Sequence, residues 1–131
     1  MKDTAITIAA GLALALCASA ASSQQSEGSA QHAQGKQVYD HWCLPCHGPG
    51  LGLPGFNELP GTQQLRIKYR DAPISPLLTE RTDLVPDFVK VIVRQGVSFM
   101  PHFRKTEISD AELDAVAAYL ARNNPNARPA R

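Results

Sequence analysis

Two thiols and an imidazole stand together in Cys43-Leu44-Pro45-Cys46-His47. The order is C-x-x-C-H. Two cysteines so placed can add across the vinyl groups of a porphyrin, and the following histidine can bring an imidazole nitrogen under its iron. The spacing has a mechanical basis, because on one turn of helix both thiols and the ring can face one flat molecule. Covalent attachment of a single haem is therefore the chemistry these residues predict. A redox-active C-x-x-C is the first rival, but it wants a βαβ frame, and no strand pattern occurs. Half of a zinc site is the second. It needs two more ligands at fitting spacing, and only His32, His41 and His102 are left over.

An iron held by His47 has a second face. Met100, in Val97-Ser98-Phe99-Met100-Pro101-His102-Phe103, offers a thioether, and Met1 is the only other methionine. A sulfur donor favours reduced iron and raises the potential. With both faces filled there is no position for substrate, so the pair His47/Met100 describes an electron carrier and not a catalyst. Two other readings of this segment stay open. Met100 can be gap-filling core, or His102 can be the ligand in its place. The functional alternative is a haem enzyme or gas sensor with an open sixth position.

The elements that position these residues follow from the chain in order. Lys2, the apolar run Ile6 to Cys17 and the small-residue site Ala18-Ser19-Ala20 read as an export signal over residues 1–20. The run is too short to span a bilayer comfortably, so no stable membrane insertion is expected, with an uncleaved anchor as the alternative. Export predicts the periplasm. Of the three cysteines, Cys17 leaves with the signal, and haem would take the other two. A large apolar disc also supplies core that so short a chain lacks. The formal net charge is +1, and removing Lys2 and Asp3 with the signal leaves it there, which argues against a general nucleic-acid binder.

Residues 21–29 read as a flexible leader, residues 30–122 as the domain, and residues 123–131 as a loose tail. A helix is expected from Ala30 to Trp42 with Ser29 as N-cap. In it Gly35 suits a close crossing by another helix, and Tyr39 falls on the face of Cys43. Gly48 to Gly61 carries so much glycine and proline that only a loop is expected. Thr62 then caps a short helix to about Tyr69, and Asp71 to Asp83 is irregular. Pro86 to Gln95 is a helix stopped by Gly96, with Phe88, Val89, Ile92 and Val93 as its apolar stripe. Ser109-Asp110-Ala111-Glu112 is a capping box, followed by Leu113, Val116, Ala117 and Leu120 at helical spacing.

This order of helix, C-x-x-C-H, proline-rich loop, helix, Met-Pro loop and last helix resembles class I monohaem cytochromes c. The resemblance implies an all-α fold in which N- and C-terminal helices cross around a covalently bound haem, with Gly35 and Tyr39 meeting Val116 and Tyr119. It implies haem c on Cys43 and Cys46, and one-electron transfer through the haem edge near Cys43. It further implies a proline carbonyl on the other nitrogen of His47, with Pro60 and Pro54 as the candidates by position. Leu59-Pro60-Gly61-Thr62, Lys68-Tyr69, Glu80-Arg81-Thr82-Asp83-Leu84 and Phe103-Arg104-Lys105-Thr106-Glu107 are similar to cytochrome subunits of periplasmic dehydrogenases. Among these are the flavocytochromes that oxidise 4-alkylphenols, the 4-cresol and eugenol hydroxylases. That likeness implies a flavin-containing dehydrogenase as donor and a separate downstream acceptor. Among the basic residues, most are expected in solvent. Tyr69 and Arg81 are the candidates for contacting haem propionates, since a buried carboxylate needs a partner. Arg104 and Lys105 could meet an acidic docking surface.

Overall fold

Proline breaks the first helix open without ending it. In a computed structural model that describes residues 28–127, residues 28–38 are α-helical (α1), and the backbone then widens into a π turn over Tyr39–Cys43. It tightens again as α2, Leu44–His47, with Pro45 in its first turn. Leu44 N–H reaches back to the Tyr39 carbonyl. In an unbroken α-helix Pro45 would leave the His41 carbonyl without a donor and press its ring against it. One wider turn ahead of the proline relieves both faults. The helix expected to stop at Trp42 thus runs on through the whole motif. Ser29 lies within helical backbone and is not its N-cap. The expected signal, most of the leader and the last four residues of the tail fall outside the described residues.

Tyr39 lies close enough to Cys43 across the π turn that, after burial, the charge of that thiol is the next influence raising the tyrosine's pKa. Tyr39 is buried, and its hydroxyl donates to the His47 carbonyl at 3.2 Å, bracing the far end of the motif.

Three further helices follow: α3, Pro60–Lys68; α4, Pro86–Gln95; and α5, Asp110–Ala121. A 3₁₀ turn, Leu78–Glu80, lies within the stretch read as irregular. Among the described residues there is no strand, only an isolated bridge between Val97 and Met100. The fold class is all-α, as expected. Glycine at φ 71° ends α4 at Gly96, and the Ser109/Glu112 capping box opens α5 with both reciprocal bonds made.

α1 and α5 cross at Gly35. A Cβ on that glycine would stand 2.1 Å from the Ala115 carbonyl oxygen and 2.7 Å from Tyr119 Cβ. Beside the crossing, the rings of Tyr39 and Tyr119 sit 5.9 Å apart. Val38 and Tyr39 of α1, Val89 and Val93 of α4, and Leu113, Val116, Ala117 and Leu120 of α5 share one core. Lys90 and Asp114 pair across α4 and α5 at 2.6 Å.

Two expectations about what is inside need correcting. Phe88 is 47% exposed, because the buried face of α4 is centred on Val89 and Val93, a full turn apart. The first two residues of the tail, Asn123 and Asn124, are anchored where a loose segment was expected. Asn123 and Asn124 donate to the Thr79 and Leu84 carbonyls, both at 2.8 Å, and Arg122 reaches Thr79 as well. These amides satisfy carbonyls of a segment some forty residues away in sequence, which local reading could not reveal.

Candidate haem site

The motif's two thiols are free, with Cys46 exposed and Cys43 half-buried against the core. Burial, and then the neighbouring Cys46, push the Cys43 thiol up to about 12. A thiol oxidoreductase needs the opposite, a thiolate favoured at neutral pH. The setting of Cys43 therefore counts against that rival. Among the described residues no group of three or more His, Cys, Asp and Glu side chains gathers.

His47 ends α2, and burial lowers its pKa. That keeps the imidazole neutral, the form with a lone pair to give a metal. Its Nδ1 is buried and has no hydrogen-bond partner. The start of α3 closes over the ring. A Cβ on Gly61 would stand 2.6 Å from His47 Cε1 and 2.8 Å from Nδ1. Thr62, only 1% exposed, donates to the Gly48 carbonyl at 2.9 Å.

This differs from expectation in two ways. Thr62 does not cap α3, whose N-cap is Leu59 with no side-chain bond. Proline at Pro60 starts the helix in a first turn that needs no donor, so the threonine hydroxyl is left to tie α3 to the end of the motif. The second difference concerns Nδ1, which neither the Pro60 nor the Pro54 carbonyl reaches. Pro60 lies in the first position of α3, where a carbonyl turns along the helix axis to accept from the next turn. The proline was the legible residue, yet it is the glycine after it that touches the ring.

Met100 sits in a short loop closed on itself. Val97 N–H donates to the Met100 carbonyl at 3.1 Å and Met100 N–H to the Val97 carbonyl at 2.9 Å. Ser98 takes φ 55° to make the turn. Gly96 packs so closely that a Cβ there would meet the Met100 carbonyl oxygen at 2.7 Å. Met100, like Cys43, packs against the common core. His102 is exposed. Beyond it, Phe103 returns to α4 and sets its ring edge-on to Trp42, centroids 5.7 Å apart. The residue beside Cys43 and the end of the methionine loop are thereby joined.

Tyr69 and Arg81 are brought together. The Arg81 guanidinium lies 4.7 Å from the centre of the Tyr69 ring and is 4% exposed, whereas Arg66, Arg70, Arg104 and Lys105 stand largely in solvent, as expected of most basic side chains. It forks onto the Asp83 carboxylate, which it holds below the usual carboxylate range. A carboxyl whose pKa is depressed on folding binds fewer protons when folded. Its contribution to stability is present above the unfolded value, about 3.9, and is lost as pH falls through the lower folded value. Acid unfolding of Asp83→Asn, followed by circular dichroism, should accordingly show a flatter loss of stability below about pH 4 than the parent. An unchanged acid limb would show that Asp83 makes no such contribution.

Haem fits these residues. Two unpaired thiols precede a neutral, half-buried imidazole on one helical run, and a thioether is held on a loop closed by two backbone bonds. Large apolar side chains close in sequence to His47 or Met100, Leu51 (81%), Leu53 (76%) and Phe99 (60%), stand exposed, the kind of surface an apolar disc would cover. Sequence reading missed Gly61, Thr62 and the Trp42–Phe103 contact. The signal available was the pair Gly61-Thr62 directly after Pro60, small residues suited to a close approach.

A family model described as cytochrome C oxidase, cbb3-type, subunit III matches residues 30–120. The cytochrome c subunit of 4-cresol dehydrogenase (hydroxylating) from Pseudomonas putida is 30% identical over 97 residues. That match covers 74% of this chain and 66% of the relative, just under two-thirds of its length. No solved structure matches. Cys43, Cys46, His47, Pro60, Tyr69, Arg81 and Met100 all lie inside the family match, and the chain belongs to this cytochrome c family, as a haem-binding electron-transfer protein.

Proposed function

We propose that this chain is an exported carrier of single electrons with one covalent haem c, and that it serves a dehydrogenase. Cys43 and Cys46 hold the haem through thioether bonds, and His47 and Met100 ligate its iron. The observation that carries this reading is the arrangement around His47, a neutral imidazole packed by Gly61 on the same helical run as two free thiols. When bound, the haem supplies the one-electron couple. The chain's own residues do the rest. The packing of Gly61 and the Thr62–Gly48 bond keep the imidazole in one orientation, and the Val97–Met100 turn keeps the thioether from swinging. A site with little freedom rearranges little between redox states. Tyr69 and Arg81 remain the candidates for contact with the propionates.

The donor is read as a dehydrogenase subunit, because the relative is named as the cytochrome c subunit of 4-cresol dehydrogenase (hydroxylating), and as a flavin-containing one on the resemblance to alkylphenol-oxidising flavocytochromes. Electrons pass on to a separate acceptor. Residues 1–20 act as the export signal and place the protein in the periplasm, with residues 21–29 as a leader ahead of the domain. Among the described residues no helix is long and apolar enough to cross a membrane.

Co-expression with haem-attachment machinery tests the reading. The expected product keeps one haem through acid-acetone extraction and shows a weak near-infrared sulfur-to-iron band when oxidised. Met100→Ala should abolish that band and lower the potential. Rapid carbon monoxide binding by the reduced parent protein would instead indicate an open sixth position and a sensor or enzyme.

A further inference from the structure

Arg94 lies in the last turn of α4, far in sequence from the cysteines and on no motif. Its guanidinium is three-quarters buried and its two outer nitrogens are spent on different segments. Nη1 donates to the Phe103 carbonyl at 3.0 Å, and Nη2 to Asp110 Oδ1 at 2.9 Å. Asp110 opens α5, and its other oxygen takes Lys105 Nζ at 2.6 Å. Phe103 is also bonded through its own N–H to the Val93 carbonyl at 2.9 Å, and its ring meets Trp42. The loop from Gly96 to Phe103 thus has one end continuous with α4 and the other drawn back to the same turn of α4. Met100 lies between the two ends.

We propose that Arg94 is a positioning residue for Met100. It acts as a clamp that closes the methionine loop at Phe103 and ties that closure to the start of α5. The inference rests on Met100 being the iron's second protein ligand. The planar fork matters, because two fixed donors aimed at a carbonyl and a carboxylate cannot be reproduced by a lysine ammonium on a single point. Opening the clamp costs the charge-assisted bond to Phe103, so the loop would swing Met100 out more often while the helices stay packed.

Cyanide entry into the oxidised, haem-loaded protein reads that opening, since cyanide binds only when the Met100 sulfur has left. Loss of a hydrogen bond from a charged donor predicts cyanide binding about tenfold faster in Arg94→Gln. Arg94→Lys should recover only part of the difference. Asp110→Ala, which releases Nη2 and keeps the Phe103 bond, should show a smaller increase and serves if Arg94→Gln does not fold. Lys90→Gln breaks the Lys90–Asp114 pair between the same two helices without touching the loop. It should leave the cyanide rate unchanged even where urea shows lower global stability. Rates in Arg94→Gln no faster than the parent, or equally raised in Lys90→Gln, would overturn the clamp. A parent protein without the near-infrared band, or one whose band survives Met100→Ala, would instead remove the methionine reading itself, and the clamp with it.

Discussion

Gly35→Ala should destabilise the protein by about 2 kcal/mol, although alanine is the better helix former by about 1 kcal/mol. Two effects oppose each other. Within α1 the substitution reduces the entropy lost on folding, a gain that a solvent-facing site would keep. At this site the new Cβ would stand 2.1 Å from the Ala115 carbonyl oxygen and 2.7 Å from both the Ala115 carbonyl carbon and Tyr119 Cβ. Two of those atoms are backbone, so no rotamer change relieves the contact. The helices must separate, and the separation loosens the Tyr39–Tyr119 pair beside them. Overpacking of this kind costs about 1–3 kcal/mol, with a backbone obstacle at the upper end, and so outweighs propensity. Urea unfolding of the haem-loaded pair checks the sign. A variant as stable as its parent would mean that α1 and α5 do not cross at Gly35.

Gly61→Ala is the second large effect, and it falls on the site. The new methyl would stand 2.6 Å from His47 Cε1 and 2.8 Å from the Cys46 carbonyl and from His47 Nδ1. Either the ring turns or the start of α3 lifts. Turning the ring misaims the imidazole, and lifting α3 stretches the Thr62–Gly48 bond. A hydrogen bond of this kind contributes about 1 kcal/mol, and the crowding itself costs about 1–3 kcal/mol. The expected result is a marked fall in the fraction of chain that carries covalent haem, with a shifted potential in what remains. Parental yield and potential together would show that the glycine has no part in holding His47.

Where the sequence was readable, the signal lay within one turn of the residue that produced it. Pro86 and Gly96 bound α4, and Ser109 with Glu112 opens α5, because a missing donor, a left-handed backbone and a reciprocal cap are all satisfied locally. Cys43, Cys46 and His47 were legible for the same reason. Local rules failed where a residue had a choice of partner. Thr62 had the chemistry of a cap but found the Gly48 carbonyl instead. Pro60 was expected to face His47, and its neighbour does so. Phe88 fitted a stripe whose centre only packing could fix.

The sequence by itself determined that the protein is helical, that two thiols and an imidazole lie along one short run, and that Met100 is the thioether outside the first residue. Those properties depend on covalent order and on contacts a few residues apart. Tertiary structure alone decided which carbonyl Gly35 must clear, which ring Gly61 packs, and where Arg94, Asn123 and Asn124 send their donors. Each of these joins segments brought together by burial of a common core. A donor's partner is chosen by what that burial leaves unsatisfied nearby, a quantity that no run of neighbouring residues encodes.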